Sequence, residues 1–117
     1  MTKPTKDAAK RFEDALKRRE QVSYVLRLYV SGTTPRSVRA IANIKQICEK
    51  HLKGRFELEV IDSYQKPDLA RRDQVVALPT LVKELPTPLR RIIGDLSDTE
   101  KVLVGLDLVE KDQDSSA

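Results

Sequence analysis

The sequence predicts one α/β domain of element order βαβαββα. Three observations carry that prediction: an alternating apolar strand at residues 22–30, a helical stripe opened by Thr34-Pro35, and a proline-punctuated pair of short strands near the end. With 117 residues there is room for one modest core. The apolar share of 39% and charged share of 34% predict a soluble globular chain.

Residues 1–21 form a charged N-terminal extension. Phe12, Ala15 and Leu16 give a thin stripe at helical spacing, and good helix formers run from Asp7 to Gln21. A short, loosely attached helix and a frayed tail both fit, because an isolated helix of this length is marginal. The domain proper is expected over 22–110, and 111–117 reads as a polar tail.

The first strand is Val22 to Val30. Val22, Tyr24, Leu26, Leu28 and Val30 share one face; Ser23, Arg27 and Tyr29 share the other. Ser31-Gly32-Thr33 breaks it. Thr34 then supplies a hydroxyl cap and Pro35 the first helical position. Val38, Ile41, Ile44, Cys48 and Leu52 form the predicted helical stripe, closed by Lys53-Gly54. Phe56, Leu58 and Val60 alternate in a second strand ending near Asp62. Strand, helix and strand make a βαβ unit with parallel strands.

Pro67 to Asp73 reads as a short helix. Thr80 to Leu85 is a third strand and Leu89 to Ile93 a fourth, joined through Pro86-Thr87-Pro88 as a hairpin. Ser97-Asp98-Thr99-Glu100 is a capping box opening a last helix through about Leu108. This order is that of the thioredoxin-like fold, in which a cis proline precedes the third strand; Pro79 is expected in that role.

Several function classes fall away. The one cysteine, Cys48, has no internal disulfide partner, which fits a reducing cytoplasmic compartment. With a single cysteine and a single histidine, His51, a Cys/His zinc site cannot be assembled within one chain, and no metal or cofactor is expected. No apolar run approaches the roughly 18 residues that span a bilayer, so no membrane association is expected. The net charge of +4 comes from bases mixed with acids, and aromatics are few, so nucleic acid is not an expected partner. The strand–helix junction Gly32 to Ser37 contains no thiol, so dithiol chemistry has no nucleophile there. Cys48 lies on the apolar stripe, where a small buried hydrophobe is its ordinary role. Asp73, Asp95 and Asp98 are explained by capping and solvation. No catalytic residue is assigned.

From Tyr24-Val25-Leu26-Arg27-Leu28-Tyr29-Val30-Ser31-Gly32 onward the chain resembles the KaiB family. The resemblance continues through Val60-Ile61-Asp62, Pro67-Asp68-Leu69-Ala70 and Ala77-Leu78-Pro79-Thr80-Leu81. It is most specific over Leu85-Pro86-Thr87-Pro88-Leu89-Arg90-Arg91-Ile92-Ile93-Gly94-Asp95-Leu96-Ser97-Asp98 and Glu100 to Leu108, and it runs in register over about 22–108. It implies a clock or timing protein without enzymatic activity. Such a protein binds KaiC, a hexameric ATPase of the RecA superfamily, and modulates its phosphorylation and ATPase cycle. The resemblance also implies a link to a histidine kinase pathway. It implies exchange between a self-associated ground state, a dimer or tetramer, and a thioredoxin-like monomer that binds KaiC. The N-terminal extension departs from the cyanobacterial pattern. So do Leu78, in place of a threonine, and Glu59, in place of a lysine; these count against capture of KaiA. The alternatives are a stand-alone thioredoxin-like sensor or adaptor module in a stress-response pathway, and a divergent peroxidase or reductase, which would need a thiol in the junction loop.

Candidate partner-binding residues are Arg27, Arg39, Lys83, Arg90 and Arg91. Candidate fold-switch residues are Pro79, Pro86, Pro88, Gly105 and Asp107. Proline isomerisation is slow enough to retard an exchange. Residues 102–108 satisfy both periods: Val102, Leu103 and Leu106 share a helical face, while Val102, Val104, Leu106 and Leu108 share a strand face. Gly105 and Asp107 are expected to weaken the helix, so Gly105→Ala with Asp107→Arg is expected to favour the thioredoxin-like state.

Overall fold

Alternation along the first strand sets the architecture. In a computed structural model, which describes residues 8–11 and 23–108, β1 (Tyr24–Val30) is central in a four-stranded sheet. It pairs in parallel with β2 (Phe56–Asp62) and antiparallel with β3 (Thr80–Leu85); β3 pairs antiparallel with β4 (Arg90–Ile93). The order is β2-β1-β3-β4. Helix α1 (Pro35–His51) crosses between β1 and β2, α2 (Pro67–Arg72) follows β2, and α3 (Thr99–Gly105) follows β4. This is the predicted thioredoxin-like order. The Leu78–Pro79 peptide is cis, as expected, and so are Leu85–Pro86 and Thr87–Pro88.

Both faces of the sheet are covered. Tyr24, Leu26, Leu28 and Val30 pack with Ala40, Ile44 and Cys48 of α1 and with Val102 of α3. The opposite side chains, Tyr29, Ile61 and Val82, pack with Leu69 and Ala70 of α2 and with Val75 and Leu78. Burial on two faces explains why Thr80 through Lys83 are all buried and show no alternation.

The helical stripe of α1 is rotated from the predicted one. Val38 is 52% exposed, while Ser37, Ala40 and Ile47 are buried with Ile44 and Cys48. The cause is the N-cap: the Ser37 Oγ accepts from the Ser31 amide at 3.1 Å and from the Thr34 hydroxyl at 2.8 Å, which turns Ser37 inward. In β2, Ile61 takes the buried position and Val60 is half-exposed on an edge strand.

The last helix also starts and stops differently. Asp98, not Ser97, is its N-cap and accepts from the Lys101 amide at 3.2 Å; the Ser97 amide donates to Asp95 instead. The helix ends at Gly105, and Asp107 has left-handed backbone (φ +61°). Of the expected N-terminal helix, residues 8–11 are described and are helical; the rest of it, Val22 and the tail 111–117 lie outside the described residues. Among the described residues no helix is long and apolar enough to cross a membrane.

Candidate functional site

The strand–helix junction is polar, with Thr33 to Arg36 exposed and Ser37 buried. Gly32 has φ +53°, a conformation that suits glycine, and the Ser31, Thr34 and Ser37 hydroxyls bond one another. Cys48 has no exposed surface, and burial, with a smaller contribution from Glu49, pushes its thiol up to about 11. It is a thiol at neutral pH and lies on α1 away from the junction. Among the described residues no group of three or more His, Cys, Asp or Glu side chains is placed to hold a metal ion.

On the α2 face, Arg27 and Tyr29, two residues apart on β1, reach the same carboxylate. Arg27 donates from Nε to Asp73 Oδ2 at 2.8 Å, from Nη2 to Asp73 Oδ1 at 3.2 Å, and from Nη1 to Glu84. The Tyr29 hydroxyl donates to Asp73 and lies 3.2 Å from the Leu69 carbonyl oxygen. The Asp73 carbonyl accepts from Arg91 Nε at 2.8 Å. Asp73 caps the C-terminus of α2, so it ties that helix to β1 and β4 together. Burial alone would raise its carboxyl; the hydrogen bonds from Arg27 and Tyr29 and the Arg27 charge outweigh burial and hold it below its ordinary value. Burial first, then Asp73, pushes the Tyr29 hydroxyl up to about 12.

On the opposite face, Lys83 Nζ lies 2.5 Å from Asp107 Oδ2, and Arg90 Nη2 lies 3.7 Å from Asp107 Oδ1. The Lys83 hydrogen bond holds the Asp107 carboxyl below its ordinary value, more than burial raises it. The Tyr24 hydroxyl donates to the Leu106 carbonyl at 3.1 Å, anchoring the same turn.

The five candidate cations therefore do not form one patch. In the β3–β4 register Lys83 faces Arg90 and Val82 faces Arg91, so Arg90 and Arg91 lie on opposite sides of the sheet. Lys83 has no exposed side-chain surface and Arg27 only 12%, so in this state neither is a surface contact; both are committed to carboxylates. Arg39, Arg90 and Arg91 are exposed; Arg39 pairs with Asp95 at 3.2 Å.

Gly105 and Asp107 also differ from expectation. A Cβ at Gly105 would lie 2.5 Å from Ile92 Cδ1 and 2.8 Å from Cγ1, so glycine gives α3 its close seat on β4. Asp107 is the carboxylate partner of a buried lysine, not an unopposed charge at a helix end. Pro79, Pro86 and Pro88 stand at the start of β3 and in the β3–β4 turn. Asp73, expected to cap or to be solvated, does cap α2 but is buried and paired with Arg27 instead of solvated; the sequence assigns no role to the Tyr29 hydroxyl or to Glu84. The available signal was that Arg27 and Tyr29 share a strand face and need an acceptor once that face is covered.

Residues 27–108 match the family model of the KaiB domain. The circadian clock oscillator protein KaiB of Picosynechococcus sp. is 59% identical over 87 residues, covering 74% of this chain and 84% of the relative. That of Microcystis aeruginosa is 53% identical over 98 residues, covering 80% and 94%. Among solved structures, the N-terminal domain of Synechococcus elongatus SasA superposes with a TM-score of 0.62 at 27% identity, covering 76% of this chain and 88% of that domain. Mitochondrial thioredoxin 3 of Saccharomyces cerevisiae shares the fold, with a TM-score of 0.61 at 17% identity, covering 86% and 90%.

Proposed function

This chain belongs to the KaiB family, and on that premise we propose that it is a cytoplasmic timing protein that binds a hexameric KaiC-type ATPase and modulates its phosphorylation and ATPase cycle. It performs no catalysis of its own. The observation that carries this reading is a thioredoxin-like fold with a thiol-free junction, built on a sequence 59% identical to a clock oscillator protein. The shared fold with the SasA N-terminal domain supports a docking face common to both, and through it a link to a histidine kinase pathway. A self-associated dimer or tetramer is the second state of the proposed exchange.

The exposed guanidiniums Arg39, Arg90 and Arg91 are the proposed contacts. Size-exclusion co-elution with the host's KaiC-type ATPase, in ATP and in ADP, tests the reading. Nucleotide-dependent co-elution, weakened by Arg39→Glu, Arg90→Glu or Arg91→Glu, is expected. No co-elution in either nucleotide overturns the partner; unchanged binding in all three variants removes these residues from the contact.

A second reading is favoured by one observation. The Asp73 and Asp107 ion pairs tie α2 and α3 to the sheet from opposite faces, which suits a sensor or adaptor module held permanently in one state. A single set of amide resonances, with a mass that does not change with concentration, distinguishes it from the exchanging protein.

A further inference from the structure

The turn between β4 and α3 is held in a backbone that its sequence resists. Gly94 and Leu96 both have positive φ, +120° and +64°. Glycine adopts such a backbone freely; a leucine there crowds its own Cβ against the following carbonyl oxygen. A strained residue of this kind persists only where its surroundings fix it. Here the surroundings are α1 and the core. Asn43 Nδ2 donates to the Asp95 carbonyl at 2.8 Å, and Arg39 Nε donates to Asp95 Oδ2 at 3.2 Å. Arg39 and Asn43 lie one turn apart on α1, so one face of that helix grips the turn at two points. The Ser97 amide donates to Asp95 Oδ1 at 3.1 Å, and the Leu96 side chain is buried with Val102 and Leu106.

Helix α3 depends on this turn. Its seven residues are too few to stay helical alone, and its N-cap is Asp98, at the end of the turn. Its other polar ties, Tyr24 to the Leu106 carbonyl and Lys83 to Asp107, lie at its far end. The Gly94 amide donates to the Pro79 carbonyl at 3.0 Å, which fixes the near side of the turn to the sheet. A break therefore falls after Gly94 and carries residues 95–108 together. Of the two grips from α1, Arg39 is the weaker, because its side chain is 55% exposed and water screens the pair.

We infer that residues 94–98 are a strained hinge on which α3 opens as a unit, and that Asn43 of α1 is the positioning residue that holds the hinge closed. Local opening is measurable whether or not a second fold is populated, so the inference goes beyond the exchange of states and needs no partner.

The test is amide hydrogen exchange by NMR on the full-length, nitrogen-15-labelled protein over a range of low urea concentrations. The reporters are the amides of Val102, Leu106, Asp107 and Leu108, each hydrogen-bonded within the unit; Leu26 and Leu28 on the central strand report the sheet. In wild type the four reporters are expected to share one urea slope, well below that of Leu26 and Leu28. Asn43→Asp keeps the shape of the side chain and replaces its donor with an acceptor. It should speed exchange at the four reporters by about tenfold and leave their urea slope unchanged. Arg39→Gln should change their rates by less than about threefold. Leu96→Gly and Leu96→Ala lose the same buried contacts, and the glycine variant should protect the reporters better, by about fivefold, because glycine alone takes the positive φ without strain. Reporters with the urea slope of Leu26 and Leu28 would make the opening global and overturn the hinge. Unchanged rates in Asn43→Asp would remove Asn43 as its hold, and better protection in Leu96→Ala than in Leu96→Gly would remove the strain; either overturns the inference.

Discussion

Asp107 closes the end of α3 with its carboxylate 2.5 Å from the Nζ of Lys83, a lysine whose side chain has no exposed surface. An ammonium removed from water costs several kcal/mol unless a carboxylate and hydrogen bonds compensate it. Asp107 is 39% exposed, so water reaches the pair from one side and moderates both the cost and the gain. Asp107→Asn removes the compensating charge and leaves the ammonium buried. We expect it to lower the stability of the thioredoxin-like state by about 2 kcal/mol, read from the urea midpoint. Adding Lys83→Met is expected to recover most of that loss; a double variant as unstable as Asp107→Asn would show that the pair is not the cause.

The Arg27–Asp73 pair is buried more deeply, with side-chain exposures of 12% and 8%. Arg27→Met leaves the Asp73 carboxylate with only the Tyr29 hydroxyl and the more distant Arg72. A loss of about 3 kcal/mol is expected, with partial recovery in Arg27→Met/Asp73→Asn. Hydrogen exchange should show α2 opening before the rest of the sheet, because Asp73 is its tie to β1 and β4. Uniform protection across α2 in Arg27→Met would contradict that role.

These carboxylates also set the response to acid. Asp73 and Asp107 titrate lower in the folded protein than in the unfolded chain. Above the ordinary value, about pH 4, both states are ionised and the contribution is complete. As pH falls below it, the unfolded chain takes up protons first, and stability is lost until the folded carboxyls protonate. The urea midpoint should therefore drop as pH falls below about 4. Asp73→Asn should be less stable at neutral pH and flatter across that window; an identical slope would exclude Asp73 from the acid response.

The fold was legible because its signals are local. Alternation in β1, the Thr34-Pro35 cap and the proline-bounded hairpin each act over a few residues and specify element type directly. The covered faces were less legible: Val38 reads as core by spacing, and only the inward turn of Ser37 shows that α1 is rotated. The polar ties were least legible. Lys83 looks like any strand lysine until α3 is laid over it. Asp73 and Arg27 are 46 residues apart, and nothing local marks them as partners. Pairing of that kind is a property of the packed fold, and the same is true of the close approach at Gly105.

Cys48 offers a direct check on the thiol-free junction. Burial pushes its thiol up to about 11, so almost none of it is thiolate at pH 8. Labelling by a disulfide reagent should be slow in native protein and rapid in urea. No disulfide-reductase turnover is expected in wild type or in Cys48→Ser. Turnover that disappears with Cys48→Ser would refute the non-redox reading.

Gly105 sets two effects against each other in the thioredoxin-like state. Within a helix, alanine is favoured over glycine by roughly 1 kcal/mol, which argues that Gly105→Ala would strengthen α3. The added methyl would meet Ile92 Cδ1 at 2.5 Å and Cγ1 at 2.8 Å, well inside contact distance, and Ile92 is only 7% exposed. The gain is realised only to the extent that Ile92 turns aside. Ile92→Val removes the nearer of the two atoms, at a cost of its own of about 1 kcal/mol. Gly105→Ala should therefore be more favourable in the Ile92→Val background than in wild type, by about 1 kcal/mol in a double-mutant cycle. The same cycle reads the proposed exchange between states. If α3 is helical only in the thioredoxin-like monomer, Gly105→Ala should raise the population of that conformer more in the valine background, by about fivefold in NMR peak ratios. Asp107→Arg is the weaker companion, because it brings a third cation to Lys83 and Arg90 and removes their carboxylate. Equal effects of Gly105→Ala in both backgrounds would show that Ile92 moves without cost and that the glycine is not held by its seat on β4.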